Sequence, residues 1–383
     1  MPELVALDLP GGDTFVRELE AAWEAGDAVA PLDPRLPPAA AHAAVASLRP
    51  TWVVGPHGRA RVPGGRPVEP GDSLVVATSG TTGEPKGVVL TRDAVAASAR
   101  ATSDRLEVDP GHHRWLACLP LAHIGGLSVV TRALVTGTPL TVMAGFEAEA
   151  VVETVRSGGI WLVSLVATAL RRLDPSLFRT VLVGGSAPPT GLPPNVVTTY
   201  GMTETGSGVV YDGWPLAGVD VAIGDGRPGG GDEGEVLVRG PMILRCYRDG
   251  MDPRIPGPDG AGGWLPTGDG GRIGPDGRLT VTGRLREVIV SGGEKVWPVA
   301  VETALAGLTG LRDVAVWKRP DPEWGERVVA WVVPADPADP PSLGTLRDRV
   351  AATVAPWAAP KELVVVDRLP RTASGKVRRD LLR

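Results

Sequence analysis

Short apolar runs alternate with helical stretches through the middle of this chain, and that alternation limits the fold more than any other feature. Leu74–Ala77, Trp115–Leu119, Trp161–Ser164, Val181–Gly184 and Val196–Thr199 read as buried strands, with helices at Gly126–Thr136 and Val166–Leu173. Thr91 is a candidate N-cap for another helix. Strands recurring with helical connections imply a mainly parallel, helix-covered sheet. Ala-rich helical patterns at Thr14–Trp23 and Ala39–Leu48 come first. Between about Val209 and Val281 the pattern shortens into β segments and glycine-rich turns, which implies a small antiparallel or barrel-like sheet. Strands at Val288–Ser291, Val314–Trp317, Val328–Val333 and Leu363–Val366, with helices at Pro298–Leu308 and Ser342–Val354, imply a compact α+β domain. The expected architecture is α/β: a large N-terminal domain over 1–284, β-rich at about 207–282, and a small α+β C-terminal domain over 285–383.

Charge and composition narrow the function. The net charge of −5 leaves no broad cationic field, which argues against nucleic acid as a partner. Only five of the 39 basic residues are Lys, so each retained Lys carries weight. Two cysteines, Cys118 and Cys246, make neither a disulfide framework nor a metal-ligand pattern. The acidic start lacks the basic region and apolar core of a signal peptide. The longest apolar stretch, around Gly159–Leu170, falls short of the ~20 residues that a membrane helix needs. A cytoplasmic protein without an integral membrane segment is expected, and a homo-oligomer is allowed.

Four segments carry the chemistry. Thr78-Ser79-Gly80-Thr81-Thr82-Gly83-Glu84-Pro85-Lys86-Gly87 reads as a loop between a strand and a helix. Its glycines let backbone N–H groups converge, its hydroxyls add donors and Lys86 adds a point charge, the ingredients of a polyphosphate cradle. It is not a Walker A loop, since Gly87 stands where Ser or Thr belongs. Tyr200-Gly201-Met202-Thr203-Glu204-Thr205-Gly206 follows a strand at the sheet edge where α/β proteins bind ligands. Glu204 suits Mg²⁺ carried by a nucleotide, and Tyr200 suits stacking on a base. The third is Thr267-Gly268-Asp269 with Gly283-Arg284-Leu285-Arg286-Glu287 and Ser291-Gly292-Gly293-Glu294-Lys295. Asp269 is suited to ribose hydroxyls. The fourth, Pro370–Lys376, reads either as a reach-in cation on a loop or as a basic tail.

Taken in this order, the four segments resemble the adenylate-forming superfamily of acyl-CoA synthetases, luciferases and peptide-synthetase adenylation domains. The resemblance runs from about Leu74 to the C-terminus. It implies that Thr78, Ser79, Gly80, Thr81, Thr82, Gly83 and Lys86 hold the β- and γ-phosphates of ATP. Gly184, Gly185 and Ser186 would follow the adenine edge, with Tyr200 stacked on it and Gly201 nearby. Thr203 would touch the α-phosphate and Glu204 the Mg²⁺. Asp269 would take the ribose hydroxyls, with Arg284 beside it. Lys376 is similar to the family's adenylation lysine, which bridges substrate carboxylate and α-phosphate. His123 would sit near the acyl pocket and thiol tunnel, or else cap the following helix. Ser164, Thr168 and Gly201 are further candidates for the acyl pocket. Ser291, Gly292 and Gly293 would face coenzyme A, and Arg286 occupies the hinge position.

The chemistry implied is attack of a carboxylate on ATP, release of pyrophosphate and displacement of AMP by a thiol, usually that of coenzyme A. The region ahead of the phosphate loop is shorter than the family's usual one, which implies a reduced N-terminal subdomain and argues against long-chain acids. The stretches Ser164–Ala167, Tyr200–Thr205 and Val210–Leu216 are similar to those of short actinobacterial o-succinylbenzoate–CoA ligases. Another small aryl or short-chain acid, loading of a carrier protein, and a non-catalytic nucleotide sensor are the rival readings. Retention of Lys86, Glu204, Asp269 and Lys376 argues against the sensor.

Overall fold

The computed structural model describes residues 1–79, 85–185, 191–224, 233–256, 263–371 and 377–382. Gly80, Thr81, Thr82, Gly83, Ser186 and Lys376 lie outside the described residues. The chain packs as two compact units, Met1–Val221 with Val238–Leu265, and Ala222–Leu237 with Pro266–Arg383.

The first unit holds two seven-stranded sheets. In the first, β1 (Leu4–Leu7), β2 (Ala28–Pro31), β3 (Trp52–Gly55), β4 (Gly58–Arg61), β5 (Asp72–Ser79) and β6 (Pro85–Thr91) lie in the order β6-β5-β2-β1-β3-β4, with the short strand Cys246–Tyr247 beyond β6. Residues 1–70 therefore contribute four strands besides the two expected helices, α1 (Asp13–Glu24) and α2 (Pro38–Leu48). Leu4 and Ala6 of β1, Ala28 and Ala30 of β2, Leu48 of α2, and Val75 and Val89 of the β5–β6 pair form one buried cluster. In α1, Phe15, Leu19 and Ala22 recur at helical spacing and are the buried face.

In the second sheet, β7 (His113–Ala117), β8 (Leu140–Val142), β9 (Ile160–Val166), β10 (Thr180–Gly184) and β11 (Val196–Met202) run parallel in the order β11-β10-β9-β7-β8. β12 (Ser207–Tyr211) and β13 (Trp214–Pro215) extend it antiparallel. α3 (Arg92–Arg105) opens where the Thr91 hydroxyl accepts the Ala94 N–H at 3.1 Å, the expected cap. α4 (Ile124–Thr136), α5 (Ala148–Arg156) and the single turn α6 (Ala167–Leu170) complete the alternation. Trp115 and Trp161 are core residues, 0% and 2% exposed.

A third sheet follows along the chain: β14 (Asp220–Gly224), β15 (Glu233–Arg239), β17 (Ile255–Pro256) and β18 (Gly263–Ile273) in the order β14-β15-β18-β17, with β19 (Leu279–Arg284) beside β18. The strand Cys246–Tyr247 is β16. In the second unit, β20 (Ile289–Ser291), β21 (Glu294–Val296), β22 (Leu311–Asp321), β23 (Gly325–Pro334) and β24 (Glu362–Val365) form a sheet covered by α7 (Pro298–Leu305) and α8 (Leu343–Thr353). Ile289, Val301, Leu305, Val316, Val328, Val332, Leu346 and Val350 make the core between them. A fully buried side chain such as Leu305 contributes about 2 kcal/mol of hydrophobic free energy.

Candidate active site

The phosphate-loop motif is not a strand-to-helix connection. β5 and β6 form an antiparallel hairpin, with Thr78 opposite Lys86, and the helix begins only after Thr91. The Thr78 hydroxyl donates to the Lys86 carbonyl oxygen at 3.3 Å, so the two flanks of the loop are tied together. Gly87 allows a close approach behind the loop: a Cβ there would lie 2.8 Å from Cβ of Arg248 and from Cδ2 of Leu48. The Lys86 ammonium stands 5.2 Å from the ring centroid of Tyr247, a cation–π contact.

Tyr200, Gly201 and Met202 end β11, and Thr203–Thr205 forms a 3₁₀ turn closed by Gly206 at φ 67°. Gly201 must lack a side chain, because a Cβ would lie 2.1 Å from the Ser207 carbonyl oxygen. Thr205 is fully buried, accepts the Met202 N–H at 2.9 Å and donates to the Ser207 carbonyl oxygen at 2.7 Å. Glu204 is gripped twice. Its backbone carbonyl accepts the Leu244 N–H at 2.7 Å, and its carboxylate Oε1 accepts the Tyr247 hydroxyl at 3.0 Å. Burial, reinforced by the Glu204 charge, pushes the Tyr247 phenol above its ordinary pKa, so it stays a donor. Tyr247 is thus the link between the Lys86 and Glu204 segments of the first unit.

In the second unit the two weak motifs meet. Asp269 of β18 and Arg284 of β19 are register partners and pair through Oδ1 and Nε at 2.9 Å. Asp269 is 5% exposed, and Arg284 also donates to the Thr267 carbonyl oxygen at 3.1 Å. Arg286 is exposed in the 3₁₀ turn Leu285–Glu287. Ser291 is buried at the end of β20, just before the turn of the β20–β21 hairpin, whose residues Gly292 and Gly293 have φ of 64° and 86°. A Cβ on Gly292 would lie 2.6 Å from the Trp324 ring. Lys361 lies 4.3 Å from that ring's centroid and donates to the Ser291 hydroxyl at 3.3 Å. Burial lowers its pKa. Arg371 and Val377 pair across the segment that contains Lys376.

Gly184 packs tightly on β11, since a Cβ would meet the Thr199 hydroxyl oxygen at 2.4 Å, and Gly185 takes φ 82°. His123 is exposed and occupies the N-cap position of α4 without a side-chain bond to the helix. Its charge reaches Asp33, which is 7% exposed and paired with Arg35. Ser164 is half-buried near the end of β9, and Thr168 is exposed on α6.

Two residues escaped the reading of motifs. One is Tyr247. The other is Arg132 on α4, 1% exposed, whose Nε and Nη1 have no hydrogen-bond partner among the described residues. Its Nη2 makes only a long 3.4 Å bond to the Ser207 hydroxyl, and its guanidinium stacks 4.6 Å from the Trp115 ring. Ser207 pairs with Met202, so this cation lies beside the YGMTET segment. An Arg inside the apolar run Leu127–Val135 was the available signal.

Comparison with known proteins identifies the lineage. The AMP-binding enzyme family matches residues 61–248, and the AMP-binding enzyme C-terminal domain matches residues 300–376. A probable 2-succinylbenzoate–CoA ligase of Mycobacterium tuberculosis is 40% identical over 342 residues, covering 83% of this chain and 85% of that protein. The 2-succinylbenzoate–CoA ligase of Enterococcus faecalis is 33% identical, covering 79% and 67%. Among solved structures, o-succinylbenzoate CoA synthetase from Bacillus subtilis, in complex with the acyl-adenylate intermediate OSB-AMP, superposes with a TM-score of 0.86 at 26% identity. That match covers 100% of this chain and 88% of the other. Sequence families in both halves, a relative at 40% identity and a common fold agree: the chain belongs to the AMP-binding family of adenylate-forming enzymes.

Proposed function

We propose that this protein is an ATP-dependent acid–CoA ligase that works through an acyl-adenylate, with o-succinylbenzoate of menaquinone synthesis as its acid. The names of its relatives support the activity. The structural observation that favours this acid is Arg132. An unpaired buried guanidinium is costly unless an anion compensates it. Activation of one carboxylate leaves o-succinylbenzoate with a second, and Arg132 supplies the charge to receive it.

The first half-reaction assigns a role to each of the motif residues. The Thr78–Lys86 loop binds the outer phosphates of ATP, Tyr200 stacks on the base and Asp269 takes the ribose hydroxyls. The substrate carboxylate is already ionised at neutral pH, so positioning and charge neutralisation replace a general base. Lys376 steadies the charge that grows between carboxylate and α-phosphate. Glu204 fits Mg²⁺ arriving with the nucleotide: Tyr247 donates to Oε1 only, so Glu204 would serve as one of the one or two carboxylates that Mg²⁺ takes beside phosphate oxygens. Among the described residues no cluster of three or more His, Cys, Asp or Glu groups is suited to a free metal. When bound, the ion neutralises phosphate charge.

In the second half-reaction Arg286 serves as the hinge, and Ser291–Gly293 rather than Lys376 serve the coenzyme A step. Use of ATP and coenzyme A supports a cytoplasmic reaction. Separately, no described helix is long and apolar enough to cross a membrane. The test is ATP-dependent pyrophosphate release across a panel of o-succinylbenzoate, benzoate and short-chain acids, with and without coenzyme A. Selective turnover of o-succinylbenzoate to a CoA thioester and AMP is expected. Turnover of a different acid overturns the substrate. Silence with every acid overturns the ligase reading in favour of a carrier-protein partner or a nucleotide sensor.

A further inference from the structure

We infer that Tyr247 is a positioning residue for the nucleotide, holding Glu204 and Lys86 in the arrangement that Mg²⁺-bound ATP requires. The inference rests on the proposed role of Glu204 and adds a residue that none of the four motifs contains. Tyr247 lies on β16, which pairs antiparallel with β6: Tyr247 stands opposite Val88 and Cys246 opposite Val89. The Arg248 N–H donates to the Gly87 carbonyl oxygen at 2.7 Å, and the Arg245 N–H to that of Val89 at 2.9 Å. Through these bonds β16 is fixed to the strand that leaves the phosphate loop.

The same segment holds the Glu204 turn by its backbone, through Leu244, and by its carboxylate, through the Tyr247 hydroxyl. Tyr247 therefore joins two loops 118 positions apart in sequence, Lys86 on its ring face and Glu204 on its hydroxyl. Its neighbours are anchored. Arg245 forks onto both oxygens of the buried Asp72 at 2.8 and 2.9 Å. The buried Arg248 donates to the carbonyl oxygens of Leu48, Pro67 and Arg66. A strand pinned on both sides gives the phenol a fixed direction, and a fixed donor on Oε1 sets the plane in which Oε2 meets a cation.

Tyr247→Phe removes one oxygen and keeps the ring, so it tests the hydroxyl alone. ATP binding is measured by calorimetry with Mg²⁺ and with EDTA, in Tyr247→Phe, Glu204→Gln and the double variant. Tyr247→Phe should weaken binding with Mg²⁺ about tenfold, the order expected for one hydrogen bond to a charged group, and leave binding in EDTA unchanged. Added to Glu204→Gln, it should cost little more. Tyr247→Leu should also weaken binding in EDTA, because Lys86 loses its ring.

Unchanged Mg²⁺-dependent binding in Tyr247→Phe, with a clear loss in Glu204→Gln, overturns the inference. Equal loss with and without Mg²⁺ also overturns it, since the hydroxyl would then act on ATP itself. If Glu204→Gln leaves Mg²⁺-dependent binding intact, the proposed role of Glu204 fails instead. A melting temperature for Tyr247→Phe within a degree or two of the parent establishes that the fold is retained.

Discussion

Arg379, three residues beyond Lys376, grips both carboxylate oxygens of Glu302 on α7, at 2.7 and 2.8 Å. A third contact, 3.1 Å to Glu287, ties the same guanidinium to the turn that contains Arg286. Glu302 also accepts the Val316 N–H at 2.8 Å, so its carboxylate is fully engaged.

Removing this guanidinium would strand two half-buried carboxylates. Arg379→Met should destabilise the protein by roughly 3 kcal/mol, the range for breaking a buried pair from one side. Arg379→Lys should recover only part of that, because an ammonium cannot reproduce the fork. Urea unfolding of the three proteins measures both effects. A loss below about 1 kcal/mol for Arg379→Met would mean that water replaces the ion pair.

Asp33 gives a pH-dependent prediction in the other unit. Arg35 donates to both of its carboxylate oxygens, at 2.8 and 2.7 Å, and holds its pKa below the ordinary carboxylate value of 3.8. The backbone N–H of Arg35 and the charge of His123 act in the same direction, against the effect of burial. Because the folded-state value is depressed, the unfolded chain binds more protons between the two values, and stability rises with pH there. The contribution is complete above the unfolded-state value and disappears as pH falls through the folded one. Asp33→Asn should therefore melt earlier than the parent at pH 7, and the gap should narrow below about pH 4. Melting curves at pH 7 and pH 3 check this. A gap of the same size at both pH values would mean that the mutation acts through packing.

The parts of this molecule that were legible in the sequence are those whose signal is local. β7, β9, β10 and β11 are runs of Val, Leu and Trp that read as strands without help. β1 and β2 are four residues each, LVAL and AVAP, and become strands by pairing with each other, Leu4 opposite Ala28. β6 begins Pro-Lys-Gly, which reads as loop until β5 lies beside it. The site divides in the same way. Glu204, Asp269 and Arg284 announce themselves within short motifs. Tyr247 acquires its role from a hydrogen bond across 43 residues, and Arg132 bonds to Ser207 across 75. No spacing rule reaches that far.

Arg132 separates the proposed acid from its rivals. A buried guanidinium with two unpartnered nitrogens burdens the fold, so an apolar replacement of similar length should be neutral or mildly stabilising. Arg132→Met should then keep or raise the melting temperature. Its KM for o-succinylbenzoate should rise on the order of tenfold to a hundredfold, the loss expected for a charged hydrogen-bond partner. KM for ATP, and for a monocarboxylic aryl acid that lacks the second charge, should stay within about twofold. Steady-state pyrophosphate release with both acids measures the split. A uniform fall in kcat for both acids with KM unchanged would make Arg132 a support for the Tyr200–Thr205 segment, and the second carboxylate would need another partner. A selective rise in KM for the dicarboxylate alone ties the buried charge to substrate choice.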